Sequence, residues 1–329
     1  METVTSVGNE NKTLDVFKFL ACVIIAATHL PSMFESEIEN FYFNQWFFRF
    51  CVPFFYVSSG YFFYKTSDKL RTIRRIFWLY AFSYVLYLPA VLEGAYDLNR
   101  VISKLRWNLV IGYEHLWYLN STLQGFVIWY ILEKTPVISK IFRKIGISVC
   151  VLLILLGALL DEHYHLLGNG LFQRVGDFLL IFGGPRNVVF MGFPLLVLGG
   201  AVARYEAVLR KLPALVLILL WVVIRALAWW ECTYLLKALG SGITNDLTFF
   251  GCWPALILFM LSFKFQIPIP EAFAKLLRRM AEYIYVLHPL IAALISKYIP
   301  LAPTPLWLST IALCSLIYIL LEKQFVLKK

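Results

Sequence analysis

Charged residues are scarce in this 329-residue chain: Asp, Glu, Lys and Arg make up 15% of it, against about 25% in soluble domains. The chain also lacks the GxSxG, P-loop and GxGxxG motifs of soluble enzymes and any CxxC pair. These absences argue against a soluble catalytic domain. The six cysteines are scattered, mostly within apolar runs, and are predicted to be buried and free, with a bridge between Cys232 and Cys252 as the alternative.

Apolar side chains dominate what is present. Hydrophobic residues make up 60% of the chain and aromatic residues 17%, and the mean hydropathy is +0.72. The formal net charge is +10, but the basic residues fall in short clusters between apolar runs. That arrangement is typical of the loops that orient membrane spans. We therefore expect an integral membrane protein without a nucleic-acid partner.

The apolar runs predict an all-α integral membrane protein, a bundle of ten transmembrane helices that forms one domain over residues 1–329. A span needs about 20 mainly apolar residues. No cleavage site follows the first run, which is expected to remain as a helix. The region 168–187 is expected to dip into the membrane or lie along it. The predicted spans are 14–33, 47–64, 73–92, 115–132, 145–160, 188–203, 212–230, 247–263, 281–298 and 305–321.

The charges of the loops predict the orientation. Every second loop is basic, whereas the loops between them are acidic, mixed or nearly uncharged, as in ESEIEN, EGAYDLNR and IPLAPTP. Cytoplasmic loops hold the excess of Lys and Arg in membrane proteins. Both termini are therefore expected to face the cytoplasm.

Two ionisable residues interrupt the first span, in the stretch FKFLACVIIAATHL. Lys18 and His29 are eleven residues apart, which is close to three helical turns, so both are expected on one helix face about 16 Å apart along the axis. An ionisable group within a span faces a cavity or a ligand by default. The alternative is that Lys18 extends to the cytoplasmic interface and His29 only caps the outer end of the helix.

Further polar residues begin or interrupt spans near the outer face. Several cations and imidazoles near one membrane face indicate a water-filled outer cavity. The alternative is a set of interfacial anchors beside an aromatic belt of Trp117, Trp229 and Trp230. The residues predicted to line the cavity are Glu114, His115, Arg186, Asn187 and Arg225.

Two other histidine segments have competing interpretations. His288 precedes Pro289, which frees a backbone carbonyl within the ninth span, so its ring either lines the cavity or stabilises the kink through a hydrogen bond. The segment DEHYH, residues 161–165, contains an HxH pair. No HExxH motif or cysteine partner accompanies this pair, so a solvated interfacial loop without a metal ion is predicted.

At these residues the sequence resembles the acyltransferase 3 family of integral membrane acyltransferases. The family's first-span signature is a basic residue, ten residues and a histidine, which corresponds to Lys18 and His29. Arginine is usual at the first position; lysine keeps the charge but lacks the planar two-point grip on a phosphate or carboxylate. The second span reads RFCVPFFYVSSGYFF and includes Ser59, and HLWYL, PRN and YIYVLHPLI follow in the same order as in the family.

The resemblance implies transfer of an acyl group, usually acetyl, from cytosolic acyl-CoA to a hydroxyl group at the outer face of a bacterial plasma membrane. It implies His29 as the general base and Lys18 as a residue that holds the donor. Acetyl-CoA is then a substrate, no metal is expected, and the partners are the lipid bilayer, acyl-CoA and a hydroxyl-bearing acceptor. Candidate oxyanion donors are Ser58, Ser59, Asn120 and Ser121. Candidates for the acceptor site or cavity are His115, Glu114, Arg186, Asn187, Arg225, Ser59 and His288.

Within the family, FRFCVPFFYVSSGY, HLWYL and PRN look most like the N-terminal membrane domain of the membrane-bound serine racemases of vancomycin resistance. That likeness implies a competing function, serine transport, in which Arg186 or Arg225 binds the serine carboxylate and His29 is a gate or proton site. It leaves open whether a cytosolic racemase domain is fused to this chain or separate from it. A third interpretation, a scaffold for a cytosolic enzyme, predicts that His29 is dispensable.

Overall fold

A computed structural model describes residues 11–168, 170–181, 184–240 and 247–326. Within these ranges the chain forms α-helices, short 3-10 or π segments and no strand. The helices are α1 Lys12–Ala26, α2 Glu37–Phe47, α3 Cys51–Lys65, α4 Lys69–Val91, α5 Leu98–Ile111, α6 Trp117–Lys134, α7 Pro136–Asp161, α8 Leu171–Ile181, α9 Phe193–Arg204, α10 Glu206–Leu209, α11 Ala214–Leu239, α12 Trp253–Leu261, α13 Glu271–Tyr298 and α14 Pro303–Val326.

This helical architecture confirms the all-α prediction and is consistent with a membrane protein. Among the described residues, three helices are long and apolar enough to cross a membrane, judged by length and composition: Pro136–Asp161, Ala214–Leu239 and Pro303–Glu322. Val188–Arg204 is a shorter apolar helix. Each predicted span overlaps one of the helices. The count of ten crossings and the orientation of the termini stay predictions.

The helices group into two compact units, one made of Met1–Pro31 with Phe259–Lys329 and the other of Ser32–Leu258. The first unit is built from α1, α13 and α14, with α13 packing along both of the others. The second unit contains α2 to α11, and α9 is its most central helix, since α3, α6 and α7 all pack against it. The single domain expected over residues 1–329 stays a prediction.

In the first unit, a cysteine lies at the contact between α1 and α13. The Cys22 thiol donates a hydrogen bond to the Ala281 carbonyl oxygen at 3.1 Å. All six cysteines of the chain are buried and free, which confirms the prediction made for them. The alternative bridge between Cys232 and Cys252 is therefore not formed.

In the second unit, α3 and α9 approach so closely that their backbones touch. A Cβ atom added at Gly60 would lie 1.9 Å from the Leu196 carbonyl oxygen, and one added at Gly199 would lie 2.0 Å from the Val57 carbonyl oxygen. Small residues permit this kind of close approach between helices in membranes. The two glycines therefore set the distance between α3 and α9.

Two acidic segments that were predicted as loops begin helices instead. In ESEIEN, the Ser36 hydroxyl accepts a hydrogen bond from the Glu39 N–H at 3.4 Å and starts α2. The Ser-x-x-Glu spacing is a helix-start signal that the sequence does contain. In the next acidic loop, the Asp97 carboxylate accepts a hydrogen bond from the Arg100 N–H at 2.8 Å and starts α5.

The helix within the eighth predicted span is short. With nine residues, α12 is about 14 Å long, and turns precede it. Buried carboxylates bind these turns: Asp161 accepts from the Leu247 N–H at 2.8 Å, and Glu231 accepts from the Phe249 and Phe250 N–H groups at 2.7 and 3.0 Å. The carboxylates replace helical hydrogen bonds, so the turn is stable without extending the helix.

A cluster of hydrogen bonds joins the C-terminal end of α3 to α10. Glu206 accepts from the Lys65 ammonium group at 2.5 Å, the Tyr61 hydroxyl at 2.7 Å and the Arg210 guanidinium at 2.7 Å. Partial burial raises the pKa of the Glu206 carboxyl, but the three donors outweigh burial and hold the pKa at about 2. The Glu206 carboxyl group is therefore ionised at neutral pH.

Replacing Gly199 with alanine is expected to destabilise the protein, because the new Cβ atom would overlap the backbone of α3. Overpacking of this kind costs about 1–3 kcal/mol. The measurement is thermal unfolding of the purified chain in detergent. Gly170→Ala is the control, since no atom lies within 4 Å of the Cβ added there. An equal melting temperature for the two variants would contradict the backbone contact.

The Glu206 cluster predicts a pH-dependent contribution to stability. The folded-state pKa of about 2 lies below the usual value of 4.5, so the contribution is complete above about pH 5 and is lost as the pH falls toward 2. We expect Glu206→Gln to have a lower melting temperature than wild type at pH 7 and a smaller difference at pH 3. A difference in melting temperature that stays constant over this pH range would show that the charge of the Glu206 carboxylate does not stabilise the cluster.

Candidate functional site

His29 lies beyond the end of the first helix. α1 ends at Ala26, and Ala27–His29 form one turn of 3-10 helix. Each 3-10 residue turns by about 120° instead of about 100°, so three residues rotate His29 by about 60° from the predicted helix face. Lys18 remains within α1 and is half-buried. The expectation of one continuous helix from residue 14 to 33 is therefore wrong at its outer end.

The structure brings His29 against His288 of α13, within the first unit. The centroids of the two imidazole rings are 5.1 Å apart, and the ring planes are inclined by 56°. His288 is only 1% exposed, whereas His29 is half-buried. Spacing in the sequence gives no sign of this pair, because its members are far apart in the chain.

Backbone partners determine where His288 holds its proton. Its Nδ1 atom lies 2.8 Å from the Ile284 carbonyl oxygen and 3.1 Å from the Tyr285 carbonyl oxygen. Pro289 has no N–H, so the Tyr285 carbonyl lacks its helical donor, and the imidazole N–H takes that place. A neutral His288 therefore has its proton on Nδ1 and a lone pair on Nε2. The structure thus contains the backbone hydrogen bond that was one of the two interpretations of His288.

In the second unit, Glu114 and His115 lie in one turn of 3-10 helix, Glu114–Leu116, directly before α6. Glu114 has φ +42° and Gly112 has φ +97°, which is left-handed backbone that is strained for a glutamate. Glu114 is exposed, whereas His115 is 2% exposed and packs edge-on against Tyr87 with ring centroids 4.9 Å apart. Of these two predicted cavity residues, Glu114 and His115, only His115 is buried.

Arg186 and Asn187 have different surroundings although they are adjacent. The Asn187 side-chain oxygen accepts hydrogen bonds from the Val189 and Phe190 N–H groups at 2.8 and 3.2 Å, so it caps the helical segment that continues as α9. Arg186 is exposed, and its guanidinium lies 5.8 Å from the centroid of the Trp117 ring, a cation–π distance. Asn187 thus has a structural role, and Arg186 lies at the surface beside α6.

The candidate oxyanion donors are mostly engaged or buried. The Ser59 hydroxyl lies 3.2 Å from the Tyr118 hydroxyl. Asn120 donates to the Val110 carbonyl oxygen at 2.7 Å and so helps to end α5. Ser58 and Ser121 are 1% and 4% exposed, respectively.

Arg225 is buried in the second unit instead of anchored at an interface. It is 3% exposed, and Nη2 donates a hydrogen bond to the Trp46 carbonyl oxygen at 2.6 Å. The guanidinium carbon also lies 4.5 Å from the centroid of the Trp46 ring. Because an interfacial anchor extends its charge into the water layer, that alternative is wrong for Arg225.

The DEHYH segment is not the solvated loop that was predicted. Asp161 and Glu162 are 6% and 8% exposed. Nδ1 of His163 lies 3.0 Å from the Ala158 carbonyl oxygen, and Nε2 of the same ring lies 3.0 Å from the Glu231 carboxylate. Asp161 and His163 have polar partners inside the protein, whereas His165 is exposed. Over the ranges that the structure describes, no three His, Cys, Asp or Glu side chains converge as metal ligands.

Sequence reasoning missed the residues that contact the predicted ones. Each of them comes from a distant part of the chain, so no spacing pattern identifies it. These residues are Tyr87 beside His115, Glu231 beside His163, and Gln45, whose carbonyl faces Arg225.

Comparison with known proteins agrees with the resemblance noted in the sequence. Two amino-acid racemases of Enterococcus faecalis are similar: one is 28% identical over 211 residues, covering 60% of this chain and 29% of the racemase, and the other is 25% identical over 316 residues, covering 88% and 42%. The chain thus spans less than half the length of these relatives. No solved structure matches it. Residues 11–321 match the acyltransferase domain model of the acyltransferase 3 family, and since this is nearly the whole chain, the protein belongs to that family.

Proposed function

We propose that this chain transfers an acyl group, which we assign as acetyl, from cytosolic acyl-CoA to a hydroxyl-bearing acceptor at the outer face, with His29 as the general base. Membership of the family supports acyl transfer; the donor, the acceptor and their sides of the membrane are part of this proposal. The acceptor is a cell-envelope glycan or a small molecule such as serine. The protein is proposed to act as a multi-pass protein of the bacterial plasma membrane.

The pairing of His29 with His288 is the observation that supports this function best. The His288 ring is held by two backbone carbonyls, and rotation would break both hydrogen bonds. Its Nε2 atom is therefore a fixed acceptor for a neighbouring N–H. An imidazole that donates one N–H to such a neighbour keeps a lone pair on its other nitrogen, as a general base requires. We assign proton transfer to His29 and a positioning role to His288.

In the proposed step, His29 removes the proton of the acceptor hydroxyl while the hydroxyl oxygen attacks the thioester carbonyl carbon. The C–O bond forms, the tetrahedral intermediate collapses, and the C–S bond breaks with its electron pair on the leaving thiolate. The imidazolium then returns the proton to the thiolate. The products are an ester, a free CoA thiol and neutral His29. Imidazole suits both proton transfers because its ordinary pKa lies near neutrality.

The other candidates are assigned by their surroundings. Lys18 is proposed to hold an anionic group of the donor through its ammonium charge. Arg186, exposed beside an aromatic ring, is the proposed contact for an anionic acceptor. Asn187 fixes the backbone next to it, and buried His115 is proposed to support the start of α6.

Replacing His29 with alanine is expected to lower kcat for acetyl-CoA turnover by about 10²–10⁴-fold, the usual contribution of a general base. Lys18→Ala is expected instead to raise KM for acetyl-CoA by about tenfold, through the loss of one charge-assisted hydrogen bond. The measurement is thiol release from acetyl-CoA by the purified chain in nanodiscs, with the acceptor supplied as a cell-envelope extract or as serine.

His165→Ala is the matched control, because this histidine is exposed and belongs to the second unit. Its turnover is expected to equal that of wild type. Wild-type turnover by a folded His29→Ala variant would contradict the assignment of the base. Failure of the wild-type chain to bind acetyl-CoA would contradict the assignment of the donor.

His288→Asn separates positioning from simple structural support. A positioning role predicts a fall in kcat of about 10–100-fold, because misplacement of a catalytic group by about 1 Å can cost 10²-fold, together with an unchanged KM for acetyl-CoA and a displaced acid limb in the pH profile of kcat. A structural role alone would reduce the melting temperature and the yield of folded protein. In that case kcat per folded molecule and the pH profile would match wild type.

Serine transport is the second candidate, favoured by the similarity to amino-acid racemases. Under this proposal Arg186 or Arg225 binds the serine carboxylate and His29 is a gate or proton site. A link to vancomycin resistance through a racemase domain belongs to the same proposal. Saturable serine uptake into proteoliposomes, without acetyl-CoA turnover, would favour transport over acyl transfer.

A further inference from the structure

Contacts between the first helical segment and α13 fix how the two are aligned. In chain order they join Asp15 with Arg278, Cys22 with Ala281, and His29 with His288. Residue numbers increase together on the two sides, so α1 and α13 run parallel, and both belong to the first unit. The histidine pair therefore lies at one end of this contact, and the ion pair between Asp15 and Arg278 lies at the other.

Lys18 and Arg278 lie at nearly the same height in this arrangement. Lys18 follows Asp15 by three residues and precedes Cys22 by four, so it is on the face of α1 that packs against α13. The contact between Cys22 and Ala281 gives a common reference height. Lys18 is four residues before it on α1 and Arg278 three residues before it on α13, which is about 6 Å and about 4.5 Å along the two axes. Two cations from different helices thus occupy one level of the first unit.

The distance from these cations to the histidine pair matches the length of an extended acyl-CoA arm. Arg278 and His288 are ten residues apart on α13, which is about 15 Å along the helix axis. In acyl-CoA, the extended pantetheine arm separates the thioester from the diphosphate by a comparable length. A thioester beside His29 therefore brings the diphosphate to the level of Lys18 and Arg278.

An accessible edge runs along the buried contact between the two helices. The centre of the contact is closed, since Cys22, Ala281 and His288 are 2%, 6% and 1% exposed. The half-buried side chains beside it are Lys18, His29, Arg278 and Tyr285. Tyr285 follows Arg278 by seven residues, which is two turns along the same face of α13. The pantetheine arm is therefore expected to lie along this edge and not between the helices.

The guanidinium of Arg278 supplies what the Lys18 ammonium group lacks. Lysine is a point charge, whereas the planar fork of arginine donates two parallel hydrogen bonds to a phosphate. The ion pair with Asp15 involves Nη1, and 37% of the Arg278 side chain is exposed, so the guanidinium reaches both the carboxylate and the surface. Its neighbour Arg279 is directed elsewhere, because Nη1 of Arg279 donates to the Glu322 carboxylate of α14 at 2.6 Å.

We propose that Arg278 binds the diphosphate of acyl-CoA through a two-point hydrogen bond, with Lys18 beside it and Asp15 as the positioning residue of the guanidinium. The inference rests on the proposed acyl transfer, since it adds a residue of α13 to that donor site. The 3′-phosphate of CoA lies beyond the diphosphate, on the ribose, so the spacing selects the diphosphate. Glu282, one turn further along α13, is exposed, and an exposed carboxylate competes weakly for a cation.

The first test is CoA binding by the purified full chain in nanodiscs, measured by isothermal titration calorimetry. Arg278→Gln is expected to raise Kd for CoA by about 10–100-fold, as the loss of charge-assisted hydrogen bonds does. Arg278→Lys keeps the charge without the fork and is expected to restore part of the affinity. Because 3′-dephospho-CoA retains the diphosphate, its binding is expected to depend on Arg278 in the same way.

Arg279→Gln is the matched control. It removes an equal charge one residue away, from a side chain that is 57% exposed and paired with Glu322. Its Kd for CoA is expected to equal that of wild type. The melting temperatures of both variants show whether each is folded.

S-acetylpantetheine, which lacks every phosphate, separates phosphate binding from structural support. With acetyl-CoA, Arg278→Gln is expected to raise KM by about 10–100-fold and to leave kcat unchanged. With S-acetylpantetheine, the variant and wild type are expected to have equal kcat/KM. A structural role alone would lower turnover of both donors together with the melting temperature.

The outcomes distinguish this inference from the proposed function. Unchanged CoA affinity in folded Arg278→Gln, while wild type releases thiol from acetyl-CoA, would overturn the inference and leave acyl transfer standing. CoA binding that depends on Arg278 without any turnover would support the site and contradict acyl transfer. Failure of wild type to bind CoA would overturn both. An equal loss of affinity in Arg279→Gln would show a general effect of surface charge, and a loss confined to CoA, absent with 3′-dephospho-CoA, would contradict the assignment to the diphosphate.

Discussion

Side chains take over backbone hydrogen bonds at several of the points where the helices of this chain are interrupted. In apolar surroundings no water is at hand to satisfy a freed N–H or C=O group, and an unsatisfied group is costly. His288 satisfies the carbonyl freed by Pro289, Asn187 caps the segment before α9, and Glu231 binds the turn before α12. The polar residues of the apolar segments are thus largely determined by backbone geometry.

This constraint bears directly on function, because one side chain serves the fold and the proposed chemistry together. The hydrogen bonds of His288 to the backbone fix its tautomer and orientation, and the same orientation presents its ring to His29. The carbonyl freed by Pro289 therefore helps to hold the His288 ring beside His29, as the proposed mechanism requires. Arg225 is comparable in its structural role, since it donates to the Trp46 carbonyl oxygen near the C-terminal end of α2.

Much of the fold was accessible from the sequence, whereas most of the site geometry was not. Long apolar runs predicted helices because backbone polar groups in lipid must be satisfied within a segment. The Ser-x-x-Glu spacing at Ser36 would have predicted α2, had it been weighed against the acidic composition of its loop. The end of α1 at Ala26 had no comparable signal, since no proline or glycine marks it, and the expected continuous helix was wrong beyond that residue.

The sequence by itself determined that this chain is all-α and apolar, that it resembles the acyltransferase 3 family, and that Lys18 and His29 are unusual in their span. These properties follow from composition and local order, which act over a few helical turns. Only the tertiary structure decided that His29 meets His288, that Arg225 is buried against α2, and that Asp161 and Glu162 of the DEHYH segment are buried. Each of these depends on a partner far away in the chain, and packing, not spacing, selects such partners.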